Sequence, residues 1–111
     1  MVKRGKNMSY NNFDTGVNVT PAPVTSNGIV EVNYSGILSK NGAKELYLHY
    51  GSSYLEDWAN VSDIKMSKNS NGAFSANLSV PVGNKLNLCF RDTAYNWDNN
   101  NGKNYIYDIN K

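Results

Sequence analysis

Between Phe74 and Val80 the chain alternates apolar and polar residues without a break, and this two-residue period recurs along most of the sequence. Successive side chains of a strand point to opposite faces, so the pattern collects Phe74, Ala76, Leu78 and Val80 on one face and Ser75, Asn77 and Ser79 on the other. The same reading groups Val30, Val32 and Tyr34, then Leu46, Leu48 and Tyr50, then Leu86, Leu88 and Phe90. Tyr105-Ile106-Tyr107-Asp108-Ile109 reads as a terminal strand, and Val17 with Val19 as a short edge strand ended by Pro21 and Pro23, which cannot donate to a ladder. No apolar stripe of helical spacing reaches about ten residues. Gly, Asn and Pro turns separate the runs. Together they predict an all-β fold, an antiparallel β-sandwich of immunoglobulin-like type, with Val30, Val32, Leu46, Leu48, Phe74, Leu78, Leu86, Leu88 and Phe90 between the sheets. The period does not encode strand count or closure, so a small barrel is the alternative.

A chain of 111 residues holds one domain with one core. Residues 1–15 are polar, rich in Asn and without period, which predicts a flexible tail ahead of a module spanning 16–111. A formal charge of +2 gives no electrostatic footprint for nucleic acid, and only Lys3, Arg4 and Lys6 cluster, in the tail. Cys89 is the only cysteine and sits in the apolar run Leu86-Asn87-Leu88-Cys89-Phe90, the setting of a buried, inert thiol. No apolar run is long enough to span a membrane, and no Cys/His cluster supplies a metal site.

The two tryptophans, Trp58 and Trp97, both fall in polar stretches outside the alternating runs. An exposed indole leaves a flat apolar area in water unless something lies on it. A sugar ring fits, because its C–H faces stack on the indole while its hydroxyl rim needs both donors and acceptors, which Asn supplies in one side chain. Asn96, Asn99, Asn100 and Asn101 surround Trp97 in the sequence. In that company Trp97 reads as a stacking platform and Asn96, Asn99, Asn100 and Asn101 as a comb of groups that read the sugar's edge, while Asp98 and some of these asparagines also shape the turn that holds them. His49, the only histidine, lies on the non-core face of its strand, where its ring extends the platform beside Tyr47.

Three other chemistries compete. Asp57, Asp63, Asp92 and Asp98 offer carboxylates for glycoside hydrolysis, but each reads as part of a polar turn, without the burial that raises a general acid's pKa. Asp98, Asn100 and Gly102 imitate the start of a calcium loop, yet Ile109 stands where the closing Glu belongs. Single-stranded nucleic acid or another ligand of aromatic platforms is the alternative function, although bases also call for a positively charged groove.

The run Glu45-Leu46-Tyr47-Leu48-His49-Tyr50-Gly51, then Trp58 and Met66, then Leu86 to Asp92, and above all Asn96-Trp97-Asp98-Asn99-Asn100-Asn101-Gly102-Lys103-Asn104-Tyr105 resemble the starch-binding carbohydrate-binding modules of family 25 and the related family 53. The likeness covers about residues 17 to 111. It implies a non-catalytic β-sandwich that binds α-1,4-glucans, as starch, glycogen or malto-oligosaccharides, without a cofactor. It implies further that His49, Trp58 and Trp97 form the sugar platform and that Asn99 hydrogen-bonds sugar hydroxyls. The segment Ser52 to Asp57 is looser than the family's short loop before its first tryptophan. A monomer is expected, without nucleic-acid or membrane partners. Its place is the cytoplasm if this is the whole protein, and the exterior if it is a module cut from a secreted amylase-type enzyme.

Overall fold

The computed structural model describes residues 10–12, 15–55 and 57–110. Its strands form two sheets that share one core. The first sheet has five strands in the order β1 (Tyr10–Asn12), β2 (Val17–Thr20), β4 (Ile29–Tyr34), β8 (Phe74–Ser79) and β7 (Ser67–Lys68). The second runs β3 (Val24–Thr25), β11 (Tyr105–Asn110), β9 (Lys85–Asp92), β5 (Leu46–Ser53) and β6 (Ala59–Lys65), and β10 (Trp97–Asp98) pairs with the end of β9. A single helical turn, α1 (Ile37–Lys40), follows β4.

Every residue expected between the sheets is buried there. The register explains the assembly: Val30 faces Leu78 and Tyr34 faces Phe74 across β4 and β8, while Leu48 faces Phe90 and Tyr50 faces Leu88 across β5 and β9. Each pair lies on the same face because the side-chain period is two, so a slip of one residue would turn the whole apolar set outward. Tyr34 and Phe90 meet across the core with ring centroids 4.3 Å apart. The fold is therefore an all-β sandwich, as the alternation required.

Three features of the strands differ from the sequence reading. Strand β2 is internal, because Tyr10–Asn12 pairs with it as the outer strand. Residues 1–9, 13 and 14 of the expected tail lie outside the described residues. The sandwich is not wholly antiparallel, since Ile109 and Asn110 pair in parallel with Val24 and Thr25. Strand β6 escaped the period because it is an edge strand with most of its residues exposed and only Ile64 packed on the core. That placement also moves Asp63 from an expected turn onto a strand. Among the described residues no helix is long and apolar enough to cross a membrane.

Candidate functional site

Strands β6, β5, β9 and β10 lie side by side, so their outward residues form rows across one face. Tyr47 pairs with Lys65 on one side and Arg91 on the other, and Arg91 pairs with Trp97. In the next row His49 lies between Asp63 and Cys89. His49, Trp58 and Trp97, from three separate chain segments, meet on this face. The His49 and Trp58 rings are 5.6 Å apart and nearly parallel at 26°, whereas the His49 and Trp97 rings, also 5.6 Å apart, stand at 84°. Trp97 is 44% exposed, on strand β10 rather than in a loop.

Two neighbours fix these rings. His49 Nδ1 lies 2.5 Å from Asp63 Oδ1. A carboxylate only accepts, so Nδ1 carries the proton and Nε2 faces away from Asp63. Trp58 lies against Gly51, where the β5–β6 ladder shifts register. A Cβ added to Gly51 would stand 2.9 Å from the Ala59 carbonyl oxygen and 3.2 Å from both Trp58 Cε3 and Val61 Cγ2. Ser52 and Ser53 belong to β5 and are buried, so the connection to Trp58 is shorter than the sequence suggested.

The Asn-rich segment divides by role. Asn100, Asn101 and Gly102 take positive φ in succession, at 57°, 58° and 88°, and Asn104 does so at 61°. Asn tolerates this left-handed backbone better than other residues with a Cβ, which accounts for much of the run. Asn100 Nδ2 donates to the Asn104 carbonyl at 3.1 Å, so its amide braces the turn. Asn99 is exposed, and its Oδ1 accepts from the Gly102 N–H at 2.9 Å.

Asp98 departs from the sequence reading. It does accept from the Asn100 N–H at 3.3 Å, as a turn residue would, but its side chain is buried. Because Trp97 points outward, Asp98 next to it points in, opposite Phe90. Tyr34 Oη donates to Asp98 Oδ2 at 2.6 Å and Tyr105 Oη to Oδ1 at 2.8 Å. The carboxylate thus ties the aromatic strand to both sheets. The sequence carried no local sign of this, since the partners are 64 and 7 residues away.

Burial and the bond to Asp98 push the Tyr34 and Tyr105 hydroxyls well above the usual phenol range, and burial raises Tyr107 to about 12. Burial, with the nearby Asp63 and Asp98 charges, raises the Cys89 thiol to about 11. Groups that hold protons more tightly when folded lose that advantage as pH rises past their unfolded values, about 8.5 for a thiol and 10 for a phenol. The urea midpoint is therefore expected to hold steady up to about pH 8 from these groups and to fall progressively between about pH 9 and 12. A midpoint that rises over that interval would contradict the network.

Sequence reasoning missed Arg91 and Tyr95. The guanidinium carbon of Arg91 lies 4.4 Å from the Tyr47 ring centroid and 4.7 Å from that of Tyr95. Among the described residues no group of His, Cys, Asp and Glu is placed to hold a metal ion.

The chain is a carbohydrate-binding module of β-sandwich form. The family is specific: the model of the starch/carbohydrate-binding module (family 53) matches residues 30–88, and the chain belongs to that family of non-catalytic modules. It is also 38% identical over 92 residues to an alpha-amylase of Clostridium acetobutylicum, a match that covers 82% of this chain and 11% of the relative. The chain thus spans about a tenth of that protein's length. No solved structure matches it.

Proposed function

We propose that the module binds α-1,4-linked glucans without hydrolysing them, by laying sugar rings on His49, Trp58 and Trp97, in the manner of a family 25 platform. The observation that carries this reading is the convergence of these rings on an exposed face, with Trp97 uncovered. The 84° angle between the His49 and Trp97 rings makes that floor bent rather than flat. A curved α-1,4 chain follows a bent floor; a flat β-1,4 ribbon calls for coplanar rings. Asn99 Nδ2 supplies a donor to the sugar rim and His49 Nε2 a second polar group.

If an indole covers about 100 Å² of sugar, burial contributes about 2 to 3 kcal/mol at ~25 cal/mol/Å². After the costs of association, a site of this size gives a Kd of roughly 10 µM to 1 mM. Tighter attachment comes from multivalency or fusion, and a module of this kind inside an amylase would raise the enzyme's local concentration on its polysaccharide.

Affinity electrophoresis against amylopectin, glycogen, hydroxyethylcellulose and xylan tests the reading. Retardation is expected in the first two gels only, and it should change little between low and high salt, because stacking on neutral sugar releases no counterions. Equal mobility in all four gels, or binding that fades steeply with salt, would refute it. Gly51→Ala should push Trp58 off its seat and weaken glucan binding roughly 5- to 10-fold, with a stability loss of about 1 to 3 kcal/mol from overpacking. Titration with a malto-oligosaccharide checks this; unchanged affinity in a folded variant would remove Trp58 from the floor.

A further inference from the structure

We infer that Tyr95, Arg91 and Tyr47 form a second sugar subsite adjoining the three-ring floor, one that contacts only the longer malto-oligosaccharides and reads their hydroxyl rims through the Arg91 guanidinium. This inference rests on glucan binding at His49, Trp58 and Trp97.

Tyr95 is the last of the three loop residues between Asp92 and Asn96 in the β9–β10 hairpin, where the Asp92 N–H bonds to the Asn96 carbonyl at 3.1 Å. Its φ is +62°, at the position where such hairpins favour glycine. A large aromatic residue there adopts a left-handed backbone at a cost in steric strain, because its Cβ crowds the following carbonyl oxygen. The ring nonetheless remains 67% exposed, so burial of the side chain does not offset that cost. Strain of this kind, held at an exposed position beside a binding face, points to function.

Its surroundings are built to hold it. Asp92 Oδ1 accepts from the Ala94 and Asn96 N–H groups at 2.9 and 2.8 Å, and Oδ2 accepts from Asn96 Nδ2 at 3.0 Å. Those bonds pin the loop and hold the Asp92 carboxyl below its usual range. Arg91 lies between the Tyr95 and Tyr47 rings, and cation–π attraction fixes its plane. Among the described residues its guanidinium donates one hydrogen bond, to the Asp92 carbonyl at 3.3 Å. A guanidinium carries five N–H donors in a rigid fork, so most of this fork is available to a ligand. Arg91 also pairs directly with Trp97 across the ladder, which puts the fork at the edge of the floor. A glucan longer than the floor would pass over it, with one sugar against the free face of Tyr95 and its hydroxyls at the fork.

The test is length dependence, measured by calorimetric titration of maltotriose and maltoheptaose with the wild type, Tyr95→Asn and Arg91→Met. Asparagine tolerates the left-handed backbone and removes the ring; methionine keeps an apolar stem between the tyrosines and removes the donors. The preference for maltoheptaose over maltotriose is expected to fall roughly 5- to 10-fold in each variant, with the circular dichroism of the wild type retained. A preference that stays at the wild-type value, or equal losses on both sugars, overturns the subsite while leaving the floor intact. A wild type that binds neither sugar overturns the floor and the subsite together.

Discussion

Trp97→Ala should abolish retention on amylose and glycogen and weaken oligosaccharide binding roughly 30- to 150-fold, because it removes about 2 to 3 kcal/mol of ring burial. The fold should survive the change. Trp97 is 44% exposed, and strand β10 is held by its ladder with β9 and by Asp98 rather than by the indole. Amylose retention measured beside a thermal melt separates the two effects. Unaltered retention by a folded variant would move the site off this face.

Asp98→Ala is expected to act on stability and binding together. It leaves the Tyr34 and Tyr105 hydroxyls buried without their acceptor, at about 1 to 3 kcal/mol each, so the domain should lose roughly 3 to 5 kcal/mol. That is a large part of the 5–15 kcal/mol typical of a small domain, and it should lower Tm by about 15 °C or more. Glucan binding should weaken in the fraction that stays folded, since strand β10 loses its anchor to the core. A cycle with Tyr34→Phe and Tyr105→Phe checks the cause. Once neither hydroxyl is present, Asp98→Ala should cost much less; an undiminished cost would assign the loss to something other than the network.

Much of the fold was legible because the relevant signal is local. A strand with one face on the core must alternate, and Val30 to Tyr34, Leu46 to Leu48, Phe74 to Val80 and Leu86 to Phe90 do so. Strand β6 was not legible, because an edge strand with an exposed surface has no need to alternate. Cys89 was read as a buried thiol and is one, although it lies under the aromatic face and not between the sheets. In the candidate site, the two tryptophans stood out by rarity and polar setting, and the histidine by rarity and its place on a non-core strand face. Tyr47 stood out by its strand face, but its stack on Arg91 depends on the pairing of β5 with β9. Tyr95 gave no signal, since backbone strain is a property of the folded hairpin.

By itself, then, the sequence determined which side chains face the core and which face water, because strand geometry assigns faces two residues at a time. It also determined the left-handed turn after Asn99, since Asn and Gly tolerate that backbone. The tertiary structure alone decided that His49, Trp58 and Trp97 meet within 5.6 Å steps, that Gly51 seats Trp58, and that Asp98 is an internal anchor. Those outcomes depend on strand order and register between distant segments. Packing of the shared core sets that register, and no local stretch of the chain contains it.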